Sequence, residues 1–364
     1  MTNREKEIYD ILTADPLISQ EDLADKLGIS RSAAAVHISN MMKKGYILGK
    51  GYIMHDPTYV TVFGAVNMDI GGTPDNKLVK EDSNPGRVRT SLGGVGRNIA
   101  HNLSLLGNSV KLVTAFGDDD YAKQIINSCN ALKIDIHDSL ISHDDVTSTY
   151  LYITRDDGDM ELAINDMSIY RKMTPEFIET KTNLMENSAV IVIDANLPEK
   201  TIEAIAKNTT APIFAEPVSA AKAPKFKKIL KNIHTITPNL IEAETLTGMK
   251  INPDSVKSLE AAADKLMAEG VKQVVITLGS KGVYYKSSDG QALLPPVKAK
   301  MVNTTGAGDA LFAGIAAGYC RGMSLEDSVR LGMAAAAITI ETTETNNKEL
   351  DIESAISRAK IKGV

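Results

Sequence analysis

This chain of 364 residues has no tryptophan, two cysteines and six histidines, and each shortage closes off a class of function. With aromatics at only 5% of residues and no tryptophan, no stacking platform for single-stranded nucleic acid is evident. Cys129 and Cys320 stand far apart and match no redox or metal spacing, so both are expected to be reduced, packed thiols of a cytoplasmic protein. The histidines are scattered with no HxxxH-type spacing, which argues against a protein-only metal cage. The longest apolar runs, such as 189–193 and 334–340, are far too short to span a bilayer. The opening MTNREKEIYD is too charged for a signal peptide, so no membrane is expected as a partner. A net charge of −6 excludes a surface coated for nucleic acid but leaves room for a local basic patch. Also missing is GxxxxGK[ST], so any phosphate chemistry must use a cradle other than the P-loop.

What the chain does have is Asn303-Thr304-Thr305-Gly306-Ala307-Gly308-Asp309-Ala310. A glycine turn here feeds the apolar run 310–320, which reads as a buried helix. Such a helix start presents unpaired N–H groups and the positive end of a dipole, which suits an anion such as phosphate. Asp309 sits inside that site. It either caps the helix or accepts a proton from a hydroxyl attacking phosphorus, and the short motif alone leaves both readings open.

Residues 1–56 differ from the rest. Ile8 and Leu12 before the Pro16-Leu17 break predict a first helix, and Ser19 with Glu21-Asp22 starts a second with Leu23, Ala24 and Leu27 as its apolar face. Gly28-Ile29-Ser30 is a turn into a third helix over 31–44, with Ala34, Val36, Ile38, Met41 and Met42 available for packing, followed by a hairpin over 45–53. Three helices and a hairpin resemble a winged helix-turn-helix. By that resemblance Arg31, Ser32 and His37 reach bases of double-stranded DNA, while Lys43, Lys44 and Lys50 reach phosphates. The competing reading is a protein-interaction or assembly unit, since fold does not fix function.

After a short joint, residues 57–364 alternate strand-like and helix-like runs, which predicts a mostly parallel sheet covered by helices. Four stretches could carry chemistry. Asn67 and Asp69 end the first strand motif and could grip vicinal hydroxyls, or form an Asx turn. Gly93, Gly94, Arg97 and Asn98 lie in a glycine loop before a helix, either approaching a ligand or simply capping. Asn239 and Glu242 are neighbours on one helical turn, fit to hold the water shell of Mg²⁺ or to form a capping box. Thr277, Gly279 and Gly282 mark a strand end passing into a glycine turn.

In this order and spacing, and above all through GGVGRN and NTTGAGDAL, residues 58–364 resemble the ribokinase-like sugar kinases, the PfkB family. The resemblance implies an α/β fold: a mostly parallel sheet flanked by helices, with a small β lid from segments near 69–91 and 147–166. It makes Asp309 the base and the N–H groups of Gly306, Ala307 and Gly308 the anion hole. Asn67, Asp69, Gly93, Gly94, Arg97 and Asn98 then bind sugar, Asn239 and Glu242 bear on Mg²⁺, and Thr277, Gly279 and Gly282 lie on the ATP side. A homodimer through the lid is implied too. Members activated by a monovalent cation often begin the anion-hole motif with Asp-Thr-Thr; Asn303 departs from this and leaves a K⁺ requirement open.

The order GGxxRN looks less like ribokinases than like pseudouridine kinases and nearby nucleoside kinases. The stretch Glu216-Pro217-Val218-Ser219-Ala220-Ala221-Lys222-Ala223 resembles an EPVSxxKA segment of those enzymes. Thr149, Asn165 and Asp166 fall in stretches resembling their lid and substrate floor. The resemblance thus implies phosphorylation of a nucleoside 5′-hydroxyl, with a sugar kinase and a ligand-sensing regulator of transcription as the competing readings.

Overall fold

The computed structural model describes residues 1–47, 59–157 and 159–361. Most of the expected hairpin at 45–53, Lys50 and the joint before residue 59 lie outside the described residues.

The first unit has three helices: α1 (Asn3–Ala14), α2 (Gln20–Leu27) and α3 (Arg31–Lys43). Each begins at a hydroxyl cap, Thr2, Ser19 or Ser30, whose side chain accepts a backbone N–H of the first turn. Gly28 ends α2 in the left-handed conformation. Ile8, Leu12, Leu23, Ile38 and Met41 close a small core. Val36 and Met42, expected in it, are exposed, because the helical period turns only Ala34, Ile38 and Met41 inward. Lys44 also departs from expectation: its Nζ binds the buried Glu5 carboxylate at 2.9 Å instead of standing free for phosphate. Burial alone would raise the Glu5 carboxyl, but hydrogen bonds from the Thr2 N–H and Lys44 outweigh it and hold the group below its ordinary value.

The second unit runs β1 (Tyr59–Phe63), β2 (Asn67–Pro74), β3 (Gly86–Gly93), α4 (Val95–Leu105), β4 (Ser109–Val113), β5 (Ala115–Gly117), α5 (Asp120–Ala131), β6 (Leu140–Ser142), β7 (Thr149–Thr154) and β8 (Met160–Asp166). It continues with α6 (Pro175–Glu179), α7 (Thr182–Glu186), β9 (Ser188–Asp194), α8 (Glu199–Lys207), β10 (Ile213–Glu216), β11 (Ile233–Ile236), α9 (Leu240–Thr247), α10 (Val256–Ala268) and β12 (Gln273–Thr277). The last elements are β13 (Val283–Ser287), β14 (Gly290–Leu294), α11 (Ala307–Cys320), α12 (Leu325–Thr339) and α13 (Ile352–Ala359).

Eight strands form the main sheet in the order β14-β13-β12-β11-β10-β9-β1-β4. It is parallel from β4 to β12 and antiparallel only at the β13–β14 edge. The inner strands are buried on both faces. Val60, Val62, Val190 and Val192 join the core under α4, α11 and α12, while Phe63, Ile191 and Ile193 join the core under α8, α9 and α10. A second sheet, β3-β2-β7-β8, is the small lid expected from the sequence. Cys129 is packed as expected, but Cys320 is exposed, and both thiols are free.

Candidate active site

In an open parallel sheet, ligands bind in the crevice beyond the carboxyl ends of the strands. Here the ends of β10, β11 and β12 meet the amino ends of α4, α9 and α11 around one cleft. Its walls include Glu216, Thr237, Asn239, Glu242, Thr277, Gly308 and Asp309.

Gly306 starts α11 at φ +82°, and no side chain caps that helix. The capping reading of Asp309 therefore fails. Its Oδ2 instead accepts a hydrogen bond of 2.9 Å from Asn98 Nδ2, joining residues 211 positions apart. Burial pushes the Asp309 carboxyl up to about 7; the Asn98 bond works against that rise, and the charge of Asp194 adds to it. Of the three N–H groups expected in the anion hole, that of Ala307 donates to Thr304 O at 3.3 Å, inside its own turn. Gly308 faces open space, with nothing within 4 Å of where a Cβ would stand.

Asn67 and Asp69 begin β2 on one face of the lid, where Asn67 Nδ2 donates to Asp69 Oδ1. Burial raises the Asp69 carboxyl to about 6 against the lowering influence of Asn67 and the Arg97 charge. Strand pleat then sorts the remaining lid residues. Asp69 is in register with Tyr150, and Tyr150 with Asn165, so these three share a face. Thr149 and Asp166 are in register with Met68 and with each other, which puts them on the opposite face. Thr149 and Asp166 therefore do not join Asp69, Tyr150 and Asn165, and Asp166 accepts hydrogen bonds from Ser168.

Arg97 is also relocated. Its guanidinium donates to Leu92 O at 3.1 Å and Ser128 Oγ at 2.9 Å, fastening the end of β3 to α5 rather than reaching the cleft. Packing alone requires glycine at 93 and 94: a Cβ would strike the Asp69 carboxylate at Gly93 and the Ala65–Val66 backbone at Gly94. Gly282 likewise closes a turn against Leu294 O, whereas Gly279, beside Thr277, meets nothing within 4 Å.

Asn239 and Glu242 form a capping box, each side chain accepting the other's backbone N–H at 3.0 and 2.9 Å. The box is not on the surface: Glu242 is buried, its carboxyl raised by that burial, and it lines the cleft. The site reading of the sequence missed Glu216, which terminates β10, receives Thr237 Oγ1 at 2.8 Å and is raised by burial and then by the charge of Glu242. It also missed Tyr150 and Tyr152, whose rings lie 5.8 Å apart on the Asp69 face. The available signal was position: an acidic residue closing a buried parallel strand, and aromatics an even number of residues apart in a lid strand.

A model of the pfkB family carbohydrate kinases matches residues 57–352, and a winged helix-turn-helix DNA-binding model matches residues 1–47. The uncharacterized sugar kinase YeiI of Escherichia coli is 38% identical over 98% of this chain and 99% of its own length. The pseudouridine kinase of the same species is 36% identical over 84% of this chain and 97% of its own. Among solved structures, a carbohydrate kinase from Agrobacterium tumefaciens superposes with a TM-score of 0.74 at 29% identity, covering 83% of this chain and 97% of that one. Ribokinase from Thermotoga maritima reaches 0.75 at 24% identity over 84% and 100%, a likeness of fold alone. The chain belongs to the pfkB family of carbohydrate kinases: it is an ATP-dependent sugar or nucleoside kinase of ribokinase-like fold, with an N-terminal region that matches a winged helix-turn-helix.

Proposed function

We propose that this kinase transfers the γ-phosphate of ATP to the 5′-hydroxyl of a nucleoside, pseudouridine before others. The observation that carries the reading is the Asp309–Asn98 pair beside an uncapped helix start. As the hydroxyl oxygen bonds to the γ-phosphorus and ADP leaves, Asp309 takes the hydroxyl proton. The N–H groups of Gly306 and Gly308 stabilise the charge that develops on the phosphoryl oxygens. Asn67 and Asp69 hold ribose hydroxyls, Asn165 reads the base edge, and the rings of Tyr150 and Tyr152 offer the base a flat apolar surface. Thr277 and Gly279 serve the ATP side.

Among the described residues no three acidic groups stand close enough to cage a metal, but Glu216 and Glu242 line the same cleft with carboxyls raised by burial, which suits Mg²⁺ that keeps its water shell. Asn239 and Glu242 would hold the ion through water, and it would supply neutralisation of phosphate charge. The likeness to a pseudouridine kinase supports a nucleoside acceptor, and that to a sugar kinase keeps a free sugar as the alternative. A coupled ADP-release assay with Mg·ATP over pseudouridine, inosine, cytidine and ribose tests the choice. Selective turnover of pseudouridine is expected. Preference for ribose would make it a sugar kinase, and no turnover from protein that binds ATP would favour a ligand-sensing regulator.

The first unit supports a second activity, binding of double-stranded DNA in this cytoplasmic enzyme. Arg31, Ser32 and Lys43 are exposed along α3 and His37 is partly so, while Lys44 is withdrawn by Glu5. Duplex binding by the full chain is expected to weaken with salt, and Lys43→Ala to lower the salt slope by about one. Absence of any duplex binding at low salt would reject it. Exposed Val88, Leu162 and Ile164 on the lid fit a homodimer, which sedimentation equilibrium would reveal or exclude.

A further inference from the structure

The turn that presents α11 to phosphate is held from a distance. With no side-chain cap on α11, the shape of residues 303–306 depends on the segment after α12. Val302 and Asn303 donate their N–H groups to Ile340 O at 2.8 and 3.2 Å. Gly306 lies so close to Thr345 O that a Cβ would not fit. Between these contacts stands the Asn303 amide. Its Nδ2 donates to Thr343 O at 3.1 Å, and its Oδ1 accepts the Thr305 N–H at 3.0 Å. The same segment reaches the proposed base from behind: Asn346 Nδ2 donates to Asn98 O at 3.3 Å and Asn102 Oδ1 at 3.2 Å, and Asn98 holds Asp309.

An amide suits this position because it carries a donor and an acceptor on one short stem. A carboxylate of the same shape has only acceptors, and one of its oxygens would face Thr343 O with no hydrogen between them. We infer that Asn303 is a positioning residue of the phosphate site, its amide N–H donating to Thr343 O where a carboxylate would set two oxygens face to face and need a cation between them. The inference rests on the kinase reading of this cleft but not on the identity of the acceptor.

The test is Asn303→Asp, assayed in buffers whose only cation besides Mg²⁺ is tetramethylammonium, then with added KCl or NaCl. Affinity for the Mg²⁺ complex of a non-hydrolysable ATP analogue, read by calorimetry, needs no acceptor. Turnover on whichever acceptor the panel identifies is read beside it. Parent protein is expected to be indifferent to K⁺ and Na⁺. Asn303→Asp is expected to lose about tenfold in analogue affinity and in kcat, with the acceptor KM unchanged, and to regain most of it when K⁺ or Na⁺ fills the gap between the oxygens. Asn303→Ala, which offers no second oxygen, is expected to lose a similar amount without rescue. Strong activation of the parent by K⁺ would overturn the inference, as would full affinity of Asn303→Asp without a cation. A folded Asn303→Asp, checked by circular dichroism, that no cation rescues would overturn it too. Failure of the acceptor reading shows separately, as a parent that binds the analogue yet turns over no nucleoside.

Discussion

Asp309→Asn is expected to turn over on the order of 10² to 10⁴ more slowly than the parent while melting at a higher temperature at pH 8. The loss follows from chemistry. The amide can still accept the hydrogen bond from Asn98, so geometry and nucleoside binding persist, but it cannot take the proton of the attacking hydroxyl. The gain follows from burial. The native carboxyl titrates at about 7, against 3.8 for an unperturbed one, so the native state holds this proton more tightly than the unfolded chain does. The group's contribution is fully present below about pH 4 and is lost as pH rises through about 7. Asparagine does not titrate, so the difference in melting temperature should open between pH 4 and 8 and close again on acidification. In the parent, kcat/KM should climb with pH through the same region as the base ionises. Near-normal turnover of the variant would remove Asp309 from its role, and a pH-independent difference in melting temperature would contradict the burial argument.

Gly94→Ala should be strongly destabilising in the second unit. Gly94 stands at φ +98° and ψ 130°, a conformation open to glycine and strained for any other residue. Space is closed as well: a Cβ would meet the Ala65 carbonyl and the Val66 Cα, which are backbone and cannot swing aside. A cost of about 3 kcal/mol is expected, visible as a lower urea midpoint at unchanged slope. Because α4 begins at the next residue and carries Asn98, the displaced helix should also carry turnover down with it. Gly308→Ala is the control. Its Cβ meets nothing within 4 Å, so the midpoint should stay while the methyl intrudes on the cleft. Equal midpoints for Gly94→Ala and the parent would show that the β1–β2 turn yields more easily than its contacts imply.

These glycines also mark where the sequence stops being legible. That residues 93–94 and 306–308 form glycine turns before helices can be read locally, because a turn, a cap and an apolar run are properties of neighbouring residues. Whether each turn opens toward a ligand or against another backbone cannot, because Ala65 and Thr345 lie tens of residues away. Arg97 shows the same limit. Its place in the first turn of α4 is plain from the pattern, but its partner is Ser128 on α5, which no local spacing announces. The lid strands were legible as strands, but the face each residue takes was not: Asn165 and Asp166 read alike, and only the register counted from Asp69 separates them. The strand-end acid Glu216 needed the sheet order to be seen as a neighbour of Glu242.

The pleat of the lid has one more consequence. Every second residue of β2 and β7 shares the Asp69 face, the one proposed to meet the acceptor, and the residues between them face away from it. Two texts are thus interleaved in the same strands, one written toward the molecule being phosphorylated and one toward whatever lies outside. A substitution edits one text and leaves the other intact, so such a lid can change its acceptor without changing its company, whereas inserting a single residue would exchange the two.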